Sequence, residues 1–253
     1  MDTKRMTGML TAMLALGGAA ACNDAEDEVR LLPESNGQGP APFDRGVPYQ
    51  PDVEADDLQT QVDNELWPLP VGATWTYGAE TEDGRIEIFV EVLPQTEAVW
   101  GTTATVVRDT ETLDDELVED TWDWFAQDGD GNVWYLGEDT SEYSLGEVVS
   151  NAGAWEAGVD GALPGVVMLG SPEVGAVYRQ EYLPGEAEDV AQVVEVGLTV
   201  DVPAGTFEDC IKTYDVSAIE VDAVEYKYYC PGVGNVLVEE EDERVELVEY
   251  SGL

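Results

Sequence analysis

The stretch Ile86-Glu87-Ile88-Phe89-Val90-Glu91-Val92 decides the fold. Ile86, Ile88, Val90 and Val92 fall on every second residue, so an extended chain puts all four on one face. A helix would scatter them around its circumference. Val194, Val196, Leu198, Val200 and Val202 repeat the pattern over a longer run. Turn-forming clusters punctuate these runs: Glu82-Asp83-Gly84, Asp128-Gly129-Asp130-Gly131-Asn132 and Pro231-Gly232-Val233-Gly234-Asn235. No segment carries a sustained helical stripe with caps. From Trp67 onward the chain is expected to be all-β and antiparallel.

The same region echoes itself. Pro70-Val71-Gly72-Ala73-Thr74-Trp75 returns in outline as Glu173-Val174-Gly175-Ala176-Val177-Tyr178, and Val90-Glu91-Val92 returns as Val194-Glu195-Val196. Gly101-Thr102 returns as Gly205-Thr206, and Gly129-Asp130-Gly131-Asn132-Val133 as Gly232-Val233-Gly234-Asn235-Val236. All four matches lie in order at an offset of 103 or 104 residues. They predict an internal duplication: two related antiparallel β modules, residues 67–165 and 170–253, packed as one body.

Four motifs carry a resemblance. The Trp67–Gly72 stretch, the Asp128–Tyr135 hairpin, Pro203-Ala204-Gly205-Thr206-Phe207 and Tyr229-Cys230-Pro231-Gly232-Val233-Gly234 make residues 67–253 resemble an uncharacterised family of bacterial secreted and lipoprotein β domains. That resemblance implies a β body and brings no activity with it. More remotely, serial curved strands on an exported protein look like the half-barrels of lipoprotein carriers, which would imply a carrier of apolar ligands.

Upstream of the body the texture differs. Lys4 and Arg5 precede an apolar run, Met9 to Ala21, which is too short to span a bilayer and rich in small residues. Ala19-Ala20-Ala21-Cys22 then reads as a lipobox, so residues 1–21 are expected to be a cleaved lipoprotein signal and Cys22 the lipidated residue. Each buried methylene of the lipid contributes about 0.8 kcal/mol, and several chains together anchor a protein to a membrane. Asn23 in place of aspartate is compatible with sorting to an outer membrane. Residues 22–66, acidic and marked by Gly37-Gln38-Gly39-Pro40-Ala41-Pro42, read as a disordered linker between membrane and body.

Composition restricts the chemistry. The chain has 253 residues, with 55 acids against 10 bases and a net charge of −45. Such a surface repels phosphate, which argues against nucleic acid as a partner. Abundant carboxylates suit a salty or extracellular medium. The absence of histidine excludes Ser-His-Asp and Cys-His hydrolysis and histidine-ligated metals within one chain. Carboxylate chemistry and oxygen-ligated cations remain.

Three candidate sites follow. Cys210 and Cys230 lie in β-like segments and are expected to form a disulfide in an oxidising compartment, stabilising by about 3 kcal/mol. Asp128, Asp130, Asn132 and Asp139 supply oxygen donors for a calcium ion. Against this, Val133 stands where an EF-hand needs glycine, and a plain hairpin turn accounts for the Gly-Asn pattern. Trp122, Trp124, Phe125, Trp134 and Tyr135, interleaved with Glu119, Asp120 and Asp123, could form a carbohydrate-binding platform or a glycoside hydrolase cleft. Sheet packing explains the same aromatics more economically. The expectation is a non-enzymatic, lipid-anchored envelope protein that binds a protein or glycan or serves a structural role.

Overall fold

The computed structural model describes residues 49–217, 219, 224–240 and 243–253. Cys22, the signal and the linker as far as residue 48 lie outside the described residues. Within them the protein is all-β: fourteen strands in one antiparallel sheet, with a single three-residue 3-10 turn at Ala55–Asp57.

Two meanders build the sheet. The first runs through β1 (Thr74–Glu80), β2 (Arg85–Val99), β3 (Thr102–Leu113), β4 (Glu116–Gln127), β5 (Val133–Ser144) and β6 (Glu147–Ser150). The second runs through β9 (Val177–Arg179), β10 (Asp189–Val202), β11 (Gly205–Ser217), β12 (Val224–Cys230), β13 (Gly234–Glu239) and β14 (Arg244–Ser251). They join where β1 pairs with β14, so the strand order is 6-5-4-3-2-1-14-13-12-11-10-9. Between the meanders, the short strands β7 (Trp155–Glu156) and β8 (Gly165–Met168) fold back onto β5.

The sheet curls until its two ends meet. β8 lies against β9, Leu163 bridges Tyr182, and the Leu163 N–H donates to the Tyr182 carbonyl at 2.8 Å. Gly165 permits this approach, because a Cβ there would stand 2.0 Å from the Gln180 carbonyl oxygen. The curl turns one face of nearly every strand inward. Ile86, Ile88, Val90 and Val92 are all buried, as their alternation requires, and Phe89 on the other face is exposed. The Val194–Val202 run behaves differently. Three register shifts interrupt β10, and Val196 ends up exposed. Bulges of this kind redirect side chains and break a simple period of two.

Residues 49–66, expected as free linker, are packed onto the body. Val62 and Leu66 are buried, and Gln59 bridges Gln127 at the end of β4. The Gln127 side-chain oxygen accepts the Asp63 and Asn64 N–H groups, while its amide donates to Asp63. Val53, Leu58, Val62 and Leu66, with a few polar contacts, dock a segment whose composition alone reads as unstructured.

Candidate functional site

The interior divides into an apolar part and an acidic part. Trp67 is the wedge of the apolar part, its ring 5.8 Å from Phe125 of β4 and 5.6 Å from Tyr229 of β12. Phe125 and Tyr229 are themselves 104 residues apart, the offset of the sequence echo. The Trp75 indole donates to the Val233 carbonyl at 2.8 Å, and the Tyr77 hydroxyl donates to that of Asn235 at 2.9 Å. A cavity of about 30 Å³ remains beneath them.

Further along the same strands the inward positions become carboxyls. Asp123 of β4 stands directly opposite Glu138 of β5 in the ladder, and both are buried. Glu111 of β3 opposes Glu119 of β4, and Asp215 of β11 opposes Glu225 of β12. Glu181, ahead of β10, and Asp189 at its start are buried as well. Among the described residues, Lys227 of β12 is the only lysine or arginine buried with them. Its ammonium lies 3.0 Å from Glu225 and 3.6 Å from Asp215. The Tyr135 hydroxyl donates to Asp123 at 2.7 Å, and Gln180 donates to Asp215 at 3.2 Å. The second carboxyl oxygen of Asp123 and one oxygen of Glu181 are buried without a hydrogen-bond partner.

Like charges at paired positions in a dry interior cannot all be ionised. Burial, with Glu119 adding to it, pushes the Asp123 carboxyl up to about 8, against the opposing effect of the Tyr135 hydrogen bond. Burial together with Glu119 and Glu243 pushes Glu111 up to about 9. Glu138 and Glu181 are raised well above the ordinary range, first by burial and then by their acidic neighbours. Burial also raises Asp215, though Lys227 works against it. For Lys227, desolvation favours the neutral amine, but Glu225 and Asp215 outweigh it and hold the ammonium charged. One ion-paired lysine thus crosses an interior whose carboxyls are shifted toward the protonated form.

The sites expected from sequence are distributed differently. Cys210 and Cys230 are bonded, facing each other across β11 and β12 with 4.1 Å between their Cα atoms. Of the proposed calcium ligands, Asp128 and Asn132 meet through hydrogen bonds of 2.8–2.9 Å. Among the described residues no group of three or more acidic, cysteine or histidine side chains is placed to hold a metal. Asp128 instead ties its own turn, accepting the Asp130 and Asn132 N–H groups, the Asn132 amide and the Trp134 indole. Those donors hold its carboxyl below the usual range although burial opposes them. Asp139 lies exposed on β5, beside the buried Glu138.

The aromatic cluster splits by strand alternation. Phe125, Trp134 and Tyr135 are buried, whereas Trp122 and Trp124 are half-buried, Trp124 packing against the core, and Asp123 between them is fully buried. Arg108 lies over the Trp122 ring at 5.7 Å and pairs with Asp120 at 2.8 Å. Sequence reasoning missed the acidic interior as a whole. Its signal was Glu111, Asp123, Asp215 and Glu225 at alternate positions within strands that also carry the core.

No protein-family model matches the chain, and no curated protein matches it closely enough to count as a relative. Among solved structures the chain is similar to a candidate lipoprotein from Parabacteroides distasonis ATCC 8503. The match has 12% identity and a TM-score of 0.39, and covers 74% of this chain and 99% of that one. A superposition that loose leaves fold and role to be argued from this chain's own residues.

Proposed function

We propose that the chain is a lipid-anchored protein of the bacterial cell envelope whose curled β body acts by binding or by structure, not by turnover. The observation that carries this reading is the sealing of its reactive groups. Asp123 and Glu138, the carboxyls with the raised affinity for protons that a glycoside hydrolase acid needs, are buried inside the curled sheet. A substrate cannot reach them without parting strands. The cavity beneath Trp67 is, by itself, too small for an acyl chain.

Export is supported by the signal pattern ending at Cys22 and by the Cys210–Cys230 disulfide, which persists in an oxidising compartment. A larger concavity, a cleft of about 560 Å³, lies where residues 60–71 meet the bulge of β2. Asp63, Val71, Leu93 and Thr96 are among its walls, a mixture suited to a peptide or glycan contact. The sequence echo also supports an origin by duplication, since its four matches fall on β1 and β9, β2 and β10, and the β2–β3, β10–β11, β4–β5 and β12–β13 turns.

Metabolic labelling with palmitate and detergent partition test the anchor. The full chain should incorporate label and enter the detergent phase, and C22A should do neither; equal labelling of both would refute the assignment. A glycan panel tests the absence of turnover, because hydrolysis by the full chain that is lost in D123N would assign catalysis instead.

A further inference from the structure

The curled sheet closes along one seam, and that seam is weakly joined. On one side stand β5 and β8, and on the other β9 and β10. The Leu163–Tyr182 bridge and the close passage of Gly165 beside Gln180 span it. Every other neighbouring pair in the sheet path carries a ladder of several residues, the longest being eleven pairs between β2 and β3 and between β10 and β11. Acidic groups face each other behind the seam. Asp123 and Glu138 come from the β4–β5 side, and Glu181 and Asp189 from the β9–β10 side.

Tyr49 straps the outside of this joint. Its hydroxyl donates to the Pro164 carbonyl at 2.9 Å on one side, and its ring lies 5.1 Å from Tyr182 on the other. The Arg179 guanidinium lies over both rings and 3.8 Å from Glu188.

We infer that the β8–β9 seam is a proton-operated joint, closed while the carboxyls behind it are protonated and parted when they ionise, so that the acidic interior meets solvent only as pH rises.

The surrounding groups favour this. Asp123 is faced by Asp109 from β3, Glu119 from its own strand, and Tyr135 and Glu138 from β5. Glu138 is faced by Asp123, Glu119, Tyr135 and Asp189. Glu181 is faced by Asp189, Glu138 and Asp123, with Lys227 of β12 the one cation acting on it. Lys227 is already engaged by Glu225 and Asp215. Parting the seam lets water reach these carboxyls and returns them to the ordinary carboxylate range. The open form therefore binds fewer protons than the closed one, and rising pH favours opening.

Amide hydrogen exchange of the full chain tests the joint. Protection of residues 163–166 and 178–182 should fall relative to β1 and β2 by roughly tenfold per pH unit for each carboxyl that opening releases, between pH 5 and 8. The double variant E138Q/E181Q, neutral at both positions, should lose most of that pH dependence. Seam protection that stays constant relative to β1 and β2 across this range would overturn the inference. So would simultaneous loss of protection in β1 and β2, which would mark global unfolding. An E138Q/E181Q seam that opens with the unchanged pH profile would overturn it too. The titration of the unmodified chain decides the matter even if the double variant fails to fold.

Discussion

Replacing Lys227 by methionine removes, among the described residues, the one buried lysine or arginine of the acidic interior while keeping most of the side-chain volume. Its ammonium lies 3.0 Å from Glu225 and 3.6 Å from Asp215, and all three side chains are almost completely buried. At an effective dielectric of about 20, each contact is a gross attraction of roughly 5 kcal/mol. Desolvation of three charges offsets much of that sum, so the net cost of removing the partner is expected at about 3–5 kcal/mol. That cost should depend on pH. In acid Asp215, which burial already raises, can take a proton, less charge is stranded, and the loss should shrink toward the roughly 1.5 kcal/mol of a volume-conserving core exchange. Urea unfolding of the parent and K227M at pH 4.5 and pH 8 reads both values. A destabilisation equal at the two pH values, or below about 1 kcal/mol at pH 8, would refute the idea that Lys227 neutralises the acidic interior.

Two further outcomes follow from the packing. W67A removes the wedge between Phe125 and Tyr229 and should cost about 3–5 kcal/mol in chemical unfolding, with the loss of a cooperative transition as the extreme outcome. Reduction of Cys210–Cys230, 20 residues apart in sequence, should lower stability by roughly 3 kcal/mol and leave the far-ultraviolet β signature in place, because β11 and β12 also pair through six residues.

How much of this was legible in the sequence depends on what each alternating run carried. Ile86 to Val92 gave its face away, because apolar residues buried against a core are what a period of two normally means. The paired cysteines were legible for the same reason, sitting in two runs short enough to be neighbouring strands. Trp122-Asp123-Trp124 misled. Hydropathy assigns the tryptophans inward, yet the inward position belongs to Asp123 because it is in step with Phe125 and Thr121 on the buried face. A carboxyl becomes affordable there only as its protonated form, and protonation leaves no mark in a sequence. The docking of residues 49–66 was hidden too, since Asn64 and Gln127 meet across 63 positions of chain and neither signals its partner locally. At Asp128–Asn132 the turn hydrogen-bonds to itself, and spacing alone does not tell such a turn from a cation loop.

The central claim is that the folded interior stores protons, and potentiometric titration of the native and the urea-unfolded chain measures it directly. Raised carboxyls mean that the native state binds more protons than the unfolded one, so the excess is present near neutral pH and stability falls as pH climbs from about 5 toward 8 or 9. At pH 7 the native chain should hold close to two protons more than the unfolded chain on Asp123 and Glu111 alone, which lie at about 8 and 9, with Glu138 and Glu181, raised well above the ordinary range, adding to them. Native and unfolded titration curves that coincide between pH 5 and 8 would contradict the account.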